Sequence, residues 1–338
     1  MPNINNLSPE TVKKILIIQL GPFGDVLLTT SYFEQIKKHF PNAELTYLTK
    51  EKYYNIVKNH PSIDKFILLK QSSGYAYYLE RIRTIKKIRK EKFDILIDQQ
   101  NMNSTRLLTL FSTAKYKVGY KDAKFSFVYN LKAEQGQIGY TASRRFDILS
   151  PLGIKKEPYK LYFYISQEAK RYIDKWLKIK KLSPKQFICI SPGSPVLKKK
   201  WSLENYAKLS DLLQLNTPYK IILLWGPKEL QDVENVSAMM KTEPIMAPPT
   251  DLEQAAALLK KCKMLICNDG GLNHLSVTTN TLTLAIFGNT NPKIWSPASE
   301  FPTHHHLYNK KFHSKNDNSF GITPEMAFNK ANELLRLN

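Results

Sequence analysis

Residues 17–26 read IIQLGPFGDV and residues 188–195 read ICISPGSP. Each is an aliphatic run that ends in a small-residue turn ahead of a helix-forming stretch. An unbroken apolar run suits a strand covered on both faces, and a glycine-containing turn into a helix opens a βα unit. Finding that opening once in each half of the chain predicts two doubly wound parallel sheets in tandem rather than one large sheet.

The pattern holds on either side of these two stretches. Apolar runs at 14–20, 44–49, 65–69, 93–99, 187–193, 220–226, 264–269 and 283–288 read as buried strands. Between them lie segments with helical spacing, at 26–40, 201–215 and 252–261, where Leu252, Ala256 and Leu259 share a face. The fold class is α/β, with one Rossmann-like domain over 1–165 and a second over 180–320. The join falls within 151–184, punctuated by Pro158 and Ser183-Pro184. A last helix covers 322–338, its start marked by Thr323-Pro324-Glu325.

Length and composition agree with this. The chain has 338 residues, enough for two domains, and its 42% hydrophobic and 23% charged fractions are those of a soluble globular protein. The aliphatic run Ile15–Ile18 is far short of the ~20 residues that cross a bilayer, and the polar residues before it form no secretory signal. The three cysteines, Cys189, Cys262 and Cys267, form no CxxC pair, and the first and last stand in apolar runs. They read as core thiols of a reducing compartment, which points to the cytoplasm.

The net charge of +21 is spread evenly: residues 1–150 hold 24 basic against 13 acidic residues. A nucleic-acid-binding tail would concentrate the excess. A solvated lysine-rich surface and attraction to an anionic partner both fit, and charge alone does not choose between them. The stretch 79–92, LERIRTIKKIRKEK, sets Leu79, Ile82, Ile85 and Ile88 on one helical face and basic residues on the other. It reads as a surface helix docked on its own sheet or as a helix lying on an anionic membrane.

Three turns carry residues suited to chemistry. In the first, Gly21-Pro22-Phe23-Gly24-Asp25, the dinucleotide fingerprint GxGxxG is missing, which removes the best support for hydride transfer. Asp25 either caps the helix that follows or stands at the carboxyl end of a parallel strand as a general base. The second turn, 191–201, reads SPGSPVLKKKW: small residues let backbone amides approach a phosphate, and a lysine supplies a point charge. The third, 268–275, reads NDGGLNHL, where glycines and a helix start form an anion site and Asp269 can accept sugar hydroxyls. His274 reads as a supporting residue. No D-x-D pair, GxSxG or HExxH occurs, and His304, His305 and His306, with His313, are adjacent residues that rarely converge on one metal ion.

Together the three turns resemble those of glycosyltransferase family 9, the ADP-heptose:lipopolysaccharide heptosyltransferases. The likeness runs through KILIIQLGPFGDVLLTT, SPGSPVLKKKWSLENYAKL and LICNDGGLNHLSVTTNTLTLAIFGNTNPKIWSP, in the family's order and spacing. It implies a GT-B fold, two Rossmann-like domains facing across a cleft, with the C-terminal helix packing back on the first domain. It further implies an inverting glycosyltransferase needing neither metal nor cofactor, which moves heptose from ADP-heptose to the lipopolysaccharide inner core. A relative using another nucleotide sugar or a protein acceptor is the alternative within the family, and a basic nucleic-acid-binding protein the alternative outside it.

The resemblance also assigns residues. Asp25 matches the base, and Lys199 matches the lysine that meets the diphosphate, with Lys198 and Lys200 leaving that register open by one. Ser194 lies in the phosphate turn, Glu229 falls at the ribose, and Thr250 at the adenine edge. Asp269 holds donor-sugar hydroxyls and the Gly270 and Gly271 amides take phosphate oxygens, with His274 behind them. Gly24, Asn101, Arg106, Arg144 and Arg145 stand on the acceptor side. The implied partners are a nucleotide sugar and an anionic glycolipid at the inner membrane surface, without nucleic acid. The enzyme is then cytoplasmic, either free or peripheral on the membrane's inner face.

Overall fold

The computed structural model describes residues 7–312 and 317–337. The chain divides between Tyr164 and Ile165 into two compact units. In the first, strands β1 (Lys14–Ile18), β2 (Glu44–Lys50), β3 (Lys65–Leu69), β4 (Ile95–Asp98), β5 (Tyr116–Tyr120) and β6 (Leu131–Ala133) form one parallel sheet in the order β3-β2-β1-β4-β5-β6. In the second, β7 (Phe187–Ser191), β8 (Lys220–Leu223), β9 (Ile245–Met246), β10 (Met264–Asn268), β11 (Thr283–Phe287) and β12 (His304–Tyr308) form another, in the order β12-β11-β10-β7-β8-β9. In both sheets the order reverses beside the first strand, at β1/β4 and at β7/β10. That switch point is where ligands enter an open parallel sheet.

All eight strands read from the sequence are present. The four that were not read, β5, β6, β9 and β12, all lie outside the sheet centres, and three of them are edge strands. Central strands such as β7 and β10 are buried along their whole length and so appear as unbroken apolar runs. The strands YKVGY, LKA, IM and HHHLY are short or half polar and give no such signal.

The helices of the first unit are α1 (Phe23–Leu28), α2 (Phe33–His39), α3 (Tyr54–Val57), α4 (Gly74–Glu91), α5 (Asn103–Leu110) and α6 (Thr141–Phe146). The single helix expected over 26–40 is interrupted between α1 and α2 by a tighter turn at Thr29–Tyr32. There Thr29 Oγ1 donates to the Val26 carbonyl at 2.6 Å and Thr30 Oγ1 to that of Leu27 at 2.7 Å. Hydroxyls bonding back to the preceding turn compete with the helical ladder and bend it.

The second unit holds α7 (Gln167–Ile179), α8 (Leu203–Asn216), α9 (Leu230–Met239), α10 (Leu252–Lys261), α11 (Gly271–Thr278), α12 (Pro292–Trp295) and α13 (Pro324–Leu337). The expected helix starts have their physical cause in side-chain caps. Ser202 Oγ accepts from the Asn205 amide ahead of α8, and Asp251 and Gln254 bond reciprocally at the start of α10.

Ala327, Ala331 and Leu334 are buried in the core of the second unit, together with Leu209 and Leu213 of α8. Helix α13 thus packs on α8. The cysteines are buried and free, as core thiols. The histidine run forms β12, whose alternation puts His304 and His306 on one face and His305 on the other. His304 meets Ser276 Oγ at 3.0 Å and His306 meets Ser296 Oγ at 2.9 Å, while His313 lies outside the described residues.

Candidate active site

In the first unit the site grows from the β1/β4 switch point. Asp25 does not cap α1: the cap position is Pro22, with no side-chain bond, and Asp25 stands in the first turn. Its Oδ1 accepts from Arg145 Nη2 at 2.6 Å, across 120 residues of sequence. Arg145 comes from α6 and its side chain is 10% exposed, against 23% for Asp25. Gly21 makes room beneath the carboxylate, since a β-carbon there would stand 2.8 Å from Asp25 Oδ2 and 2.9 Å from Gln100 Oε1. Gln100 Oε1 in turn accepts from the Leu20 amide, so the loops after β1 and β4 are tied together under Asp25.

The loop after β4 is held from below. Asp98 is fully buried, accepting from Tyr129 Oη at 2.7 Å and from the Asn101 amide at 3.0 Å. Burial pushes its carboxyl up to about 6, against the pull of these hydrogen bonds and the Arg106 charge. Asn101 takes a left-handed backbone conformation, φ 53°, which asparagine tolerates better than most residues. Arg106 clamps the loop by donating to Asn101 Oδ1 at 2.9 Å and to Asn103 Oδ1.

The three arginines differ in their surroundings. Arg106 and Arg145 are buried and engaged within their unit, and the half-buried Arg144 donates to the Gly136 carbonyl at 2.7 Å. Gly24 lies half-buried in α1, one residue before Asp25.

In the second unit the loops after β7, β10 and β11 converge. Lys199 Nζ lies 2.8 Å from Asp269 Oδ2, and Thr290 Oγ1 donates to the same oxygen at 2.7 Å. Lys199 also stands 5.5 Å from the centre of the Trp295 ring, which His274 approaches at 6.3 Å. The three lysines differ in their partners. Lys200 pairs with Asp232, and Lys198 is exposed.

Asp269 itself is 1% exposed. Its carboxylate anchors Lys199. A carboxylate so buried requires such partners. Gly270 and Gly271 open α11, whose cap position carries no side-chain bond, so the first amides of the helix have no capping side chain.

Asn268, at the end of β10, was not singled out in the sequence, yet it fastens the 191–201 turn. Its Oδ1 accepts from the Trp201 amide and Tyr206 Oη, and its Nδ2 donates to the Pro192 and Gly193 carbonyls. A polar residue closing an otherwise apolar run was the available signal. Thr290 stands in the FGNT stretch that carries the resemblance but was given no role, and Trp295 gave no signal.

Glu229 stands before α9 and accepts from the Gly226 amide at 2.9 Å. Burial raises its carboxyl above the usual range, opposed by that hydrogen bond and by Lys200. A β-carbon on Gly193 would come within 2.5 Å of Glu229 Cδ, so the glutamate lies flat against the phosphate turn because that position is glycine. Ser194 Oγ bonds locally to the Val196 backbone, and Thr250 is half-buried ahead of α10. Among the described residues no cluster of His, Cys, Asp and Glu is placed to hold a metal ion, and no helix is long and apolar enough to cross a membrane.

Known proteins share this architecture. Residues 81–321 match the profile of glycosyltransferase family 9 (heptosyltransferase). The lipopolysaccharide core heptosyltransferase OpsX of Haemophilus influenzae is 24% identical over 306 residues, covering 86% of this chain and 83% of its own. A glycosyltransferase family 9 structure from Veillonella parvula superposes with a TM-score of 0.83 at 24% identity, covering 99% of this chain and all of that one. The E. coli heptosyltransferase WaaC with ADP gives a TM-score of 0.71 at 18% identity, over 96% of this chain and 100% of that one. The two six-stranded parallel sheets are thus of the GT-B type. By its profile match the chain belongs to glycosyltransferase family 9, and it is a glycosyltransferase.

Proposed function

We propose that the enzyme transfers heptose from ADP-heptose to the inner core of lipopolysaccharide, with inversion at the anomeric carbon and without a metal ion. The observation that carries the reading is Lys199, held by Asp269 and Thr290 beside the uncapped start of α11. A fixed cation next to helix-terminal amides suits a diphosphate that gains charge as it departs. The names of the relatives supply the sugar and the acceptor: OpsX is a lipopolysaccharide core heptosyltransferase, and WaaC was solved with ADP.

In this reading Asp25 accepts the proton of the acceptor hydroxyl through the oxygen that Arg145 leaves open. The acceptor oxygen attacks the anomeric carbon, the bond from that carbon to the diphosphate oxygen breaks, and its electron pair leaves with ADP. Lys199 and the Gly270 and Gly271 amides meet that charge in place of a metal. Ser194 lines the phosphate turn, Glu229 is assigned to the ribose and Thr250 to the adenine edge, with His274 behind Trp295 as support. On the acceptor side Asn101 and Arg106 shape the loop beside Asp25, and Arg144 is the arginine left to meet an anionic glycolipid.

Calorimetric titration with ADP, UDP, GDP and NAD, with EDTA present throughout, tests the donor. Selective ADP binding followed by transfer from ADP-heptose supports the reading. Selective UDP or GDP binding moves the donor, and transfer that requires an added divalent cation overturns the metal-free mechanism. Asp25→Ala is expected to abolish transfer and leave ADP binding intact; near-normal turnover would remove Asp25 as the base.

A further inference from the structure

Helix α4 departs from the amphipathic reading of its sequence. Only Thr84 and Ile88 are fully buried, while Ile82, expected on the inner face, is 49% exposed. Its first turns expose Tyr75 by 77% and Tyr78 by 66%. α5 lies on the same side of the sheet, since Ile88 of α4 and Leu108 of α5 belong to one apolar cluster. The turn Ser126–Val128 packs against α5 and exposes Phe127 by 72%. The neighbouring Phe125 is 52% exposed on a left-handed backbone, φ 62°. A left-handed backbone is unusual for an aromatic residue, and neither ring is buried in return.

These aromatic tips are set among cations. Helix α4 carries six basic residues against Glu80 and Glu91, and Lys86 and Lys87 are exposed. The aromatics also share an edge: α4, α5 and the 121–128 loop follow β3, β4 and β5, so their beginnings stand at the carboxyl end of the sheet, where Asp25 stands. Lys124 lies 5.4 Å from the centre of the Phe125 ring, so exposed rings and cations share this face. They suit a bilayer interface, in which amphipathic rings settle at headgroup depth and lysines meet anionic lipid.

We infer that the exposed face of α4, with Phe125 and Phe127, docks on an anionic phospholipid bilayer and brings the edge bearing Asp25 to the membrane. This rests on the proposed function only for the glycolipid nature of the acceptor; the docking itself does not depend on which sugar is transferred.

Cosedimentation of the full chain with phosphatidylcholine vesicles, with and without about 30% phosphatidylglycerol, tests it. The chain should bind the anionic vesicles and be released by salt. Tyr75→Ser/Tyr78→Ser/Phe127→Ser and Lys86→Glu/Lys87→Glu should each weaken that binding about tenfold or more. Because the substituted side chains are exposed, ADP binding by the same variants checks that they fold. Failure of the parent chain to bind anionic vesicles, or unchanged binding by both variants, overturns the inference. So does self-association in place of vesicle binding when the triple substitution abolishes it, which would assign the face to a second copy. Vesicle binding without ADP binding would sink the proposed donor and leave the docking surface standing.

Discussion

Arg145 Nη2 donates to Asp25 Oδ1 over 2.6 Å, joining α6 to the first turn of α1 at the carboxyl end of β1. The pair fixes the direction of the carboxylate. Arg145→Ala should lower kcat about 100-fold, the scale of loss when a reacting group is misplaced by an ångström. Arg145→Lys should fall between, because a lysine keeps the charge but not the planar fork. ADP affinity, measured by calorimetry, should be unchanged in both, since α6 and Asp25 belong to the first unit and the proposed nucleotide residues to the second. A parallel loss of ADP binding would mean that Arg145 acts on the fold at large.

Lys199 and Asp269 permit a double-mutant test. Lys199→Met leaves a carboxylate that is 1% exposed without its cation, which should cost about 3 kcal/mol and lower Tm accordingly. Lys199→Met/Asp269→Asn should recover most of that stability and none of the transfer activity. Recovery of activity along with stability would make the lysine structural.

Gly193→Ala tests the placement of Glu229. The added methyl would overlap the glutamate carboxyl and push it off the phosphate turn. ADP affinity should fall about tenfold, roughly the 1–2 kcal/mol of a lost charged hydrogen bond. Thermal stability should hold, because alanine also restricts the unfolded chain. Unaltered ADP affinity would detach Glu229 from the nucleotide.

Acid should destabilise the fold from below about pH 6.5. Burial lowers His60 to about 4 and His304 to about 3, so between those values and 6.5 the unfolded chain binds protons that the folded chain does not. Stability is then complete above pH 6.5 and is lost as the pH falls. Asp98, raised to about 6, works the other way, since below that value the folded state holds a proton that the unfolded carboxyl has released. Two histidines against one carboxyl leave a net loss of about 3 kcal/mol by pH 5. Melting curves from pH 7.5 to 4.5 measure it, and His304→Gln should flatten the slope while lowering Tm at neutral pH. A Tm that rises on acidification would contradict these signs.

The sequence by itself determined the central strands of both sheets and the turns that follow them. A strand buried on both faces must be apolar along its whole length, and the turn after it must be small where a helix begins, so both are local patterns. Asp25 and Asp269 were legible as carboxylates in the turns that follow such strands, and Lys199 only as one of three consecutive lysines.

Tertiary structure alone decided what those residues touch. Asp25 meets Arg145 across 120 residues and Lys199 meets Asp269 across 70, separations set by strand order and carried by no local signal. Among three consecutive lysines only the folded turn distinguishes the one on Asp269, the one on Asp232 and the one in solvent. Helix α4 is the clearest case: its periodicity fits an inward Ile82, and the sheet leaves that residue outside. Periodicity states which side chains share a face, and only packing states which face has a partner.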